Sequence, residues 1–170
     1  IVRVTLKGWG DSEEVTLNWH DGDTVTPLLA GPVTVSARGL AQVNVVVPET
    51  YNGAHFISAT GAGTTPVVKQ STFTVLASLS LSPTSGPAGT TVTVTLKGFG
   101  QTTTGAGESV QLRFFNTSSS TSFLKNVTVG ANGSATTTVV IPASSVANHK
   151  IQGTGAETNA KGYNYFRVTS

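Results

Sequence analysis

Val2-Arg3-Val4-Thr5-Leu6-Lys7-Gly8-Trp9-Gly10 returns later in the chain as Val92-Thr93-Val94-Thr95-Leu96-Lys97-Gly98-Phe99-Gly100. In the second copy Val92, Val94 and Leu96 fall on one face and Thr93, Thr95 and Lys97 on the other; Val2, Val4 and Leu6 follow the same rule in the first. Successive side chains of a strand point to opposite faces, so this period of two marks strands with one buried and one wet face, as in antiparallel sheets.

The duplication extends outward from this block. Val15-Thr16-Leu17-Asn18-Trp19 matches Val110-Gln111-Leu112-Arg113-Phe114, with about five extra residues in the preceding loop of the second copy. Val33-Thr34-Val35 through Arg38-Gly39 parallels Val127-Thr128-Val129 through Asn132-Gly133, and Val45-Val46-Val47-Pro48 parallels Val139-Val140-Ile141-Pro142. His55 aligns with His149, Gly61 with Gly155, and Phe73-Thr74-Val75 with Phe166-Arg167-Val168. Seven blocks in one order, with insertions only between them, establish an internal repeat. Asp21-Gly22, Arg38-Gly39, Asn52-Gly53 and Asn132-Gly133 supply turn signals between the strands, and no segment sustains a helical apolar stripe. Short strands at such spacing predict an all-β chain of two tandem immunoglobulin-like antiparallel β-sandwiches, over residues 1–77 and 78–170.

Composition agrees. Charged residues make up only 11% of the 170, against about 25% in an average soluble domain. Thr, Ser, Gly and Val take their place, a mix that suits pleated strands and tight turns. The net charge of +2 comes without any Lys/Arg cluster of the kind a phosphate-binding face requires, so nucleic acid is not an expected partner. The absence of cysteine removes disulfides, zinc fingers and thiol catalysis together. No apolar run approaches the roughly 20 residues that span a bilayer. With no Met at position 1 and no signal peptide in the sequence, the chain is expected to be a processed or excised piece of a secreted or surface-displayed protein.

Leu81-Ser82-Pro83-Thr84-Ser85-Gly86-Pro87-Ala88-Gly89-Thr90-Thr91-Val92, followed by Leu96-Lys97-Gly98-Phe99-Gly100, resembles the start of a bacterial immunoglobulin-like domain of the IPT/TIG type. The resemblance covers the first two strands; the later ones match in general pattern. It implies a spacer role in an adhesin, surface layer or stalk, or an accessory module of a secreted polysaccharide-active enzyme. The first copy departs from the family. It begins at the equivalent of Thr91–Val92, so the strand matching Leu79–Pro83 is missing and the edge carried by Val2, Val4 and Leu6 is left open for pairing with another strand. Two explanations stand: excision from a longer chain, or donation of the strand by a neighbour.

Other candidates are weaker. Asp11, Glu13, Glu14, Asp21 and Asp23 form the one local charge concentration, and Asp11, Asp21 and Asp23 are the calcium candidates, since calcium takes six to eight oxygen ligands. Asp11 precedes a strand and Asp21 follows it, which places them at opposite ends, so solvated loop charge is the simpler reading. His20 beside Asp21, with Ser12, suggests hydrolase chemistry only in outline, for there is no Gly-x-Ser-x-Gly elbow. His55 and His149 recur at matching positions, as structural residues do. Trp9 with Phe99 and Trp19 with Phe114 keep size while changing chemistry, which marks core positions. Tyr51, Tyr163 and Tyr165 are less repeated and are the candidates for stacking on sugar rings. The tract Thr117 to Ser122 reads as a polar loop, and Asn116, Asn126 and Asn132 begin sequons that a Ser/Thr-rich chain produces by chance. Leu76 to Ser80 is too short for a flexible linker, so a semi-rigid rod is expected.

The chain is therefore expected to be a non-catalytic structural or adhesive module, extracellular or at the cell surface. No cofactor or metal is expected, and its partners are other copies or domains of the same protein. An accessory polysaccharide-binding or spacer module is the alternative.

Overall fold

The computed structural model of the protein describes residues 1–63, 68–117 and 119–170, and all of their regular structure is strand. In chain order the strands are β1 (Val2–Leu6), β2 (Glu14–Asp21), β3 (Thr24–Pro27), β4 (Val33–Thr34), β5 (Ala41–Val45), β6 (Gly53–Gly61), β7 (Val68–Val75), β8 (Ser78–Ser82), β9 (Ser85–Gly86), β10 (Thr91–Lys97), β11 (Ser109–Phe115), β12 (Thr121–Thr128), β13 (Ala135–Val140), β14 (Asn148–Gly155) and β15 (Lys161–Val168). The chain divides into two compact units, residues 1–48 with 54–74 and residues 49–53 with 75–170. Residues 49–53 belong to the second unit through Asn52, whose backbone N–H donates to the Phe99 carbonyl at 3.0 Å and whose side-chain amide donates to the Val75 carbonyl at 3.0 Å.

The second unit is a sandwich of a three-stranded sheet, β13-β10-β8, and a five-stranded sheet, β12-β11-β14-β15-β9. Every pair is antiparallel except β15 with β9. This is the strand order of an immunoglobulin-type sandwich. The period-two residues of the sequence face inward: Val92, Val94 and Leu96 meet Val110, Leu112, Phe114, Ile151 and Phe166 in one core. β8 pairs Leu79 with Leu96 and Leu81 with Val94, adding two leucines to that core. Each such buried side chain contributes roughly 1.5–3 kcal/mol relative to exposure, so β8 is a substantial part of the unit's stability.

The first unit repeats the plan with less. β1 and β5 form a two-stranded sheet, and β3-β2-β6-β7 form the other, with β4 also paired to β2. Where the second unit has one edge strand, β12, the first has β3 and β4 in succession along β2. Pro27 and Pro32 explain the break, since proline cannot donate to a ladder and is tolerated only where an edge strand ends. One loop contact is common to both units: the N–H of Trp9 donates to the Gly39 carbonyl at 3.4 Å, and that of Phe99 to the Gly133 carbonyl at 3.0 Å. Both glycines have positive φ, +66° and +71°, and a Cβ on either would run into the aromatic residue's backbone.

Candidate functional site

β10 is paired on both sides, with β13 and with β8. β1 is paired on one side only. Its partner β5 matches β13, with Leu6 opposite Ala41 as Leu96 is opposite Ala135. No described strand lies along its other side. Val92 and Val94 are 0% exposed, whereas Val2 and Val4 are only half-buried and Leu6 alone is fully covered. A groove of about 520 Å³ opens there between β1 and β7, edged by Val2, Val4 and Leu6 and reaching down to Leu17, Ile57 and Phe73. The three edge residues singled out in the sequence thus line one cavity. Inward-facing positions of β7 are uncovered as well: Ser71 is exposed and Phe73 half-exposed, while Phe166, the counterpart of Phe73, is 0% exposed.

Lys69 closes one end of this groove. Its ammonium donates to the carbonyls of Lys7 at 2.8 Å and Gly8 at 2.9 Å and sits 4.5 Å from the centre of the Trp9 ring. In the second unit the ladder runs from His149 opposite Phe166 to Gly153 opposite Gly162. Carried through the repeat by His55 and Phe73, the same ladder makes Lys69 the counterpart of Gly162. Gly162 touches β8 directly: a Cβ there would lie 2.8 Å from the Ser78 carbonyl carbon and 3.1 Å from the Leu79 nitrogen. Where one unit has the backbone of a strand, the other has a lysine side chain. Among the described residues Arg3, Lys7 and Lys69 line the groove and no carboxylate does.

The calcium candidates are not brought together. Asp11 lies in the turn before β2, Asp21 is the last residue of β2, and Asp23 follows in the β2–β3 turn. Asp21 Oδ1 is 3.5 Å from the buried His55 Nδ1. Among the described residues no three His, Asp or Glu side chains are grouped as a metal site. Reading the acidic stretch as solvated charge fails at Glu13. Its carboxylate accepts the N–H of Gly10 at 2.7 Å and of Gly63 at 3.3 Å, stapling two loops.

The second unit has the same staple in stronger form. Glu108 is 0% exposed and accepts from the N–H groups of Gly100 (2.5 Å), Glu157 (2.9 Å) and Thr158 (3.0 Å) and from the Thr158 hydroxyl (2.7 Å). Burial works to raise its pKa. The Thr158 N–H and hydroxyl and the N–H groups of Glu157 and Gly100 outweigh burial and hold the carboxyl below the usual range. Glu13 and Glu108 both stand two residues before the repeated Val-x-Leu, and a Cβ on Gly61 or Gly155 would collide with the respective carboxylate. That repeated Glu with its distant Gly was the available sequence signal.

The outline of a hydrolase does not assemble either. Ser12 donates to Asp11 Oδ1 at 2.8 Å at one end of β2, while His20, near the other end, has Nε2 2.8 Å from Ser58 Oγ. Ser58 is only 3% exposed, out of reach of a substrate. His55 and His149 are buried and stacked on the core aromatics, His55 on Trp19 at 5.1 Å and His149 on Phe114 at 4.9 Å between centroids. His149 also reaches the carbonyls of Phe115 at 3.1 Å and Ser145 at 2.9 Å. Both rings are packed against the core aromatics of their units.

Tyr163 and Tyr165 are 58% and 53% exposed on the outer face of β15. Their centroids are 6.0 Å apart with the planes at 86°, so they do not form one flat platform. Opposite them in the ladder stand Gln152 and Lys150, and the Lys150 ammonium lies 4.0 Å from the Phe115 ring centre and 5.8 Å from that of Tyr163. Tyr51 is on a different element, half-buried beside Gly133. The polar tract is shorter than its composition suggests: Thr121 and Ser122 already belong to β12, and Ser118 lies outside the described residues.

No family model matches the sequence, and no curated protein matches it. Solved structures similar to the chain include a tetra-tandem repeat in the extending region of a large adhesion protein, with 17% identity and a TM-score of 0.39 over 95% of this chain and 44% of that one. Red sea bream transglutaminase has 12% identity and a TM-score of 0.40, over 99% of this chain and 28% of the enzyme. The BSP domain of a biofilm-associated protein has 16% identity and a TM-score of 0.32, over 92% and 25%. The chain spans less than half the length of each, and likeness at this level assigns no function. No helix among the described residues is long and apolar enough to cross a membrane.

Proposed function

We propose that the chain is a non-catalytic structural or adhesive part of an extracellular or cell-surface protein of bacterial type. In this reading modules over residues 1–77 and 78–170 serve a stalk, surface layer or fibre, and a strand from a neighbouring copy or domain completes the first module. The observation that carries the reading is the open side of β1, where two valines stay partly wet above an apolar groove while their counterparts in β10 are sealed. An unpaired strand edge presents a row of N–H and C=O groups to any extended segment, and alternate side-chain pockets add selectivity. Natural edges are usually blunted by proline or inward-pointing charge; β1 has neither. Sedimentation over a range of concentrations, with electron microscopy, tests the proposal. Assembly that Val4→Glu abolishes supports it, and a chain that stays monomeric at every concentration overturns it.

The exposed Tyr163 and Tyr165 favour a second reading, an accessory polysaccharide-binding module, with Tyr51 as a separate contact. Polysaccharide pull-down that is lost in Tyr163→Ala and Tyr165→Ala would replace the first reading with this one.

A further inference from the structure

We infer that the groove of the first unit takes an extended strand of β8's kind, antiparallel to β1, with apolar side chains opposite Leu6 and Val4 and polar or acidic ones opposite Lys7 and Arg3, and that Lys69 must leave the groove's end to admit it. The inference rests on the reading of this unit as strand-completed and specifies the occupant. Three observations converge on it.

The register is given by the chain's other copy. In the second unit Lys97 pairs with Ser78, Leu96 with Leu79, Thr95 with Ser80, Val94 with Leu81 and Thr93 with Ser82. Carried through the repeat, these positions of the incoming strand face Lys7, Leu6, Thr5, Val4 and Arg3. Two inward side chains at i and i+2 then stand opposite Leu6 and Val4, as Leu79 and Leu81 stand opposite Leu96 and Val94.

Charge gives the polar positions. Among the described residues the groove is lined by Arg3, Lys7 and Lys69 without a carboxylate, and in this register Arg3 and Lys7 face the incoming strand's two outward positions. Cross-strand opposite charges stabilise a pair and like charges oppose it, so the occupant is neutral or acidic at these ends.

Lys69 gives the specificity. Its ammonium donates to the carbonyls of Lys7 and Gly8, at the point where the second unit places Ser78 against Gly162. An entering strand displaces two charge-assisted hydrogen bonds there, which holds affinity down and keeps the edge covered when no partner is present.

The test titrates the full chain with a capped synthetic peptide of its own sequence Ala77 to Ser85. Tryptophan fluorescence and amide hydrogen exchange of β1 are the readouts. Both tryptophans, Trp9 and Trp19, lie in the first unit, so the fluorescence reports that unit alone. Saturable binding with new protection of β1 amides is expected, tightened about tenfold by Lys69→Gly. Glutamate in place of the peptide's Ser78 and Ser82, which face Lys7 and Arg3 in this register, should tighten it about threefold at low salt, and the gain should vanish at high salt. A peptide with Asp at both leucine positions should not bind, which keeps the test decisive even if a groove variant fails to fold. Absence of saturable binding to both the natural chain and Lys69→Gly at millimolar peptide overturns the inference, as does equal binding of the Asp peptide. Sedimentation run alongside separates the two proposals. Assembly without peptide binding sinks only the inference, and peptide binding to a permanently monomeric chain sinks only the assembly reading.

Discussion

β1 and β10 share the pattern Val-x-Val-x-Leu-Lys-Gly and lie in different surroundings. β10 has a strand on each side and its valines are fully sealed; β1 has β5 on one side and a groove on the other. The same inward alternation therefore gives two burial outcomes, and the difference is set by one neighbour, β8, together with the residue that neighbour packs on. Gly162 lets the β8 backbone close against β15, whereas Lys69 occupies the matching place with its own side chain.

The most direct way to break this contrast is to move the lysine. Gly162→Lys should force β8 away from β10 and cost the second unit about 3 kcal/mol, the upper range for overpacking, seen as early denaturation and faster amide exchange in β10 while tryptophan fluorescence stays unchanged. The loop staples come next. Glu108→Gln should cost about 2–3 kcal/mol, because N–H donors buried with a carboxylate lose their charged acceptor, and Glu13→Gln less than about 1 kcal/mol, since its site is partly wet and has fewer donors. Acid should act in the same direction. Glu108 has a folded-state pKa below its unfolded one, so its contribution is complete above the ordinary glutamate value of about 4.3 and is lost as pH falls through the depressed value. A pH titration of second-unit stability that flattens in Glu108→Gln would confirm that assignment.

Core truncation sharpens the contrast further. Val94→Ala should cost about 2 kcal/mol and Val4→Ala under about 1 kcal/mol, because only the former leaves a dry void. With the β8-type peptide bound, the Val4→Ala penalty should rise toward that of Val94→Ala in denaturant melts followed by tryptophan. The smallest effect belongs to the outer face of β15. Tyr163→Ala should change stability by no more than about 0.5 kcal/mol, as a side chain without core contacts does.

Much of the fold was legible because its signals are local. Alternation in β2, β10 and β11, the Asp-Gly and Asn-Gly turns and the paired aromatics each depend on residues a few positions apart. The staples were not. Glu13 reads as one more acid in a charged loop, and only the approach of Gly61 and Gly63, some fifty residues on, turns it inward. Nor does Tyr165 reveal from its position that its ring stands edge-on to Tyr163.

The sequence by itself determined the internal repeat, the all-β character and which face of β1, β2, β10 and β11 is apolar. Tertiary structure alone decided what lies along the other side of β1: a groove beneath Val2 and Val4, with Lys69 laid across its end. The physical reason is that alternation fixes where a side chain points, while burial depends on whether another strand arrives to cover it.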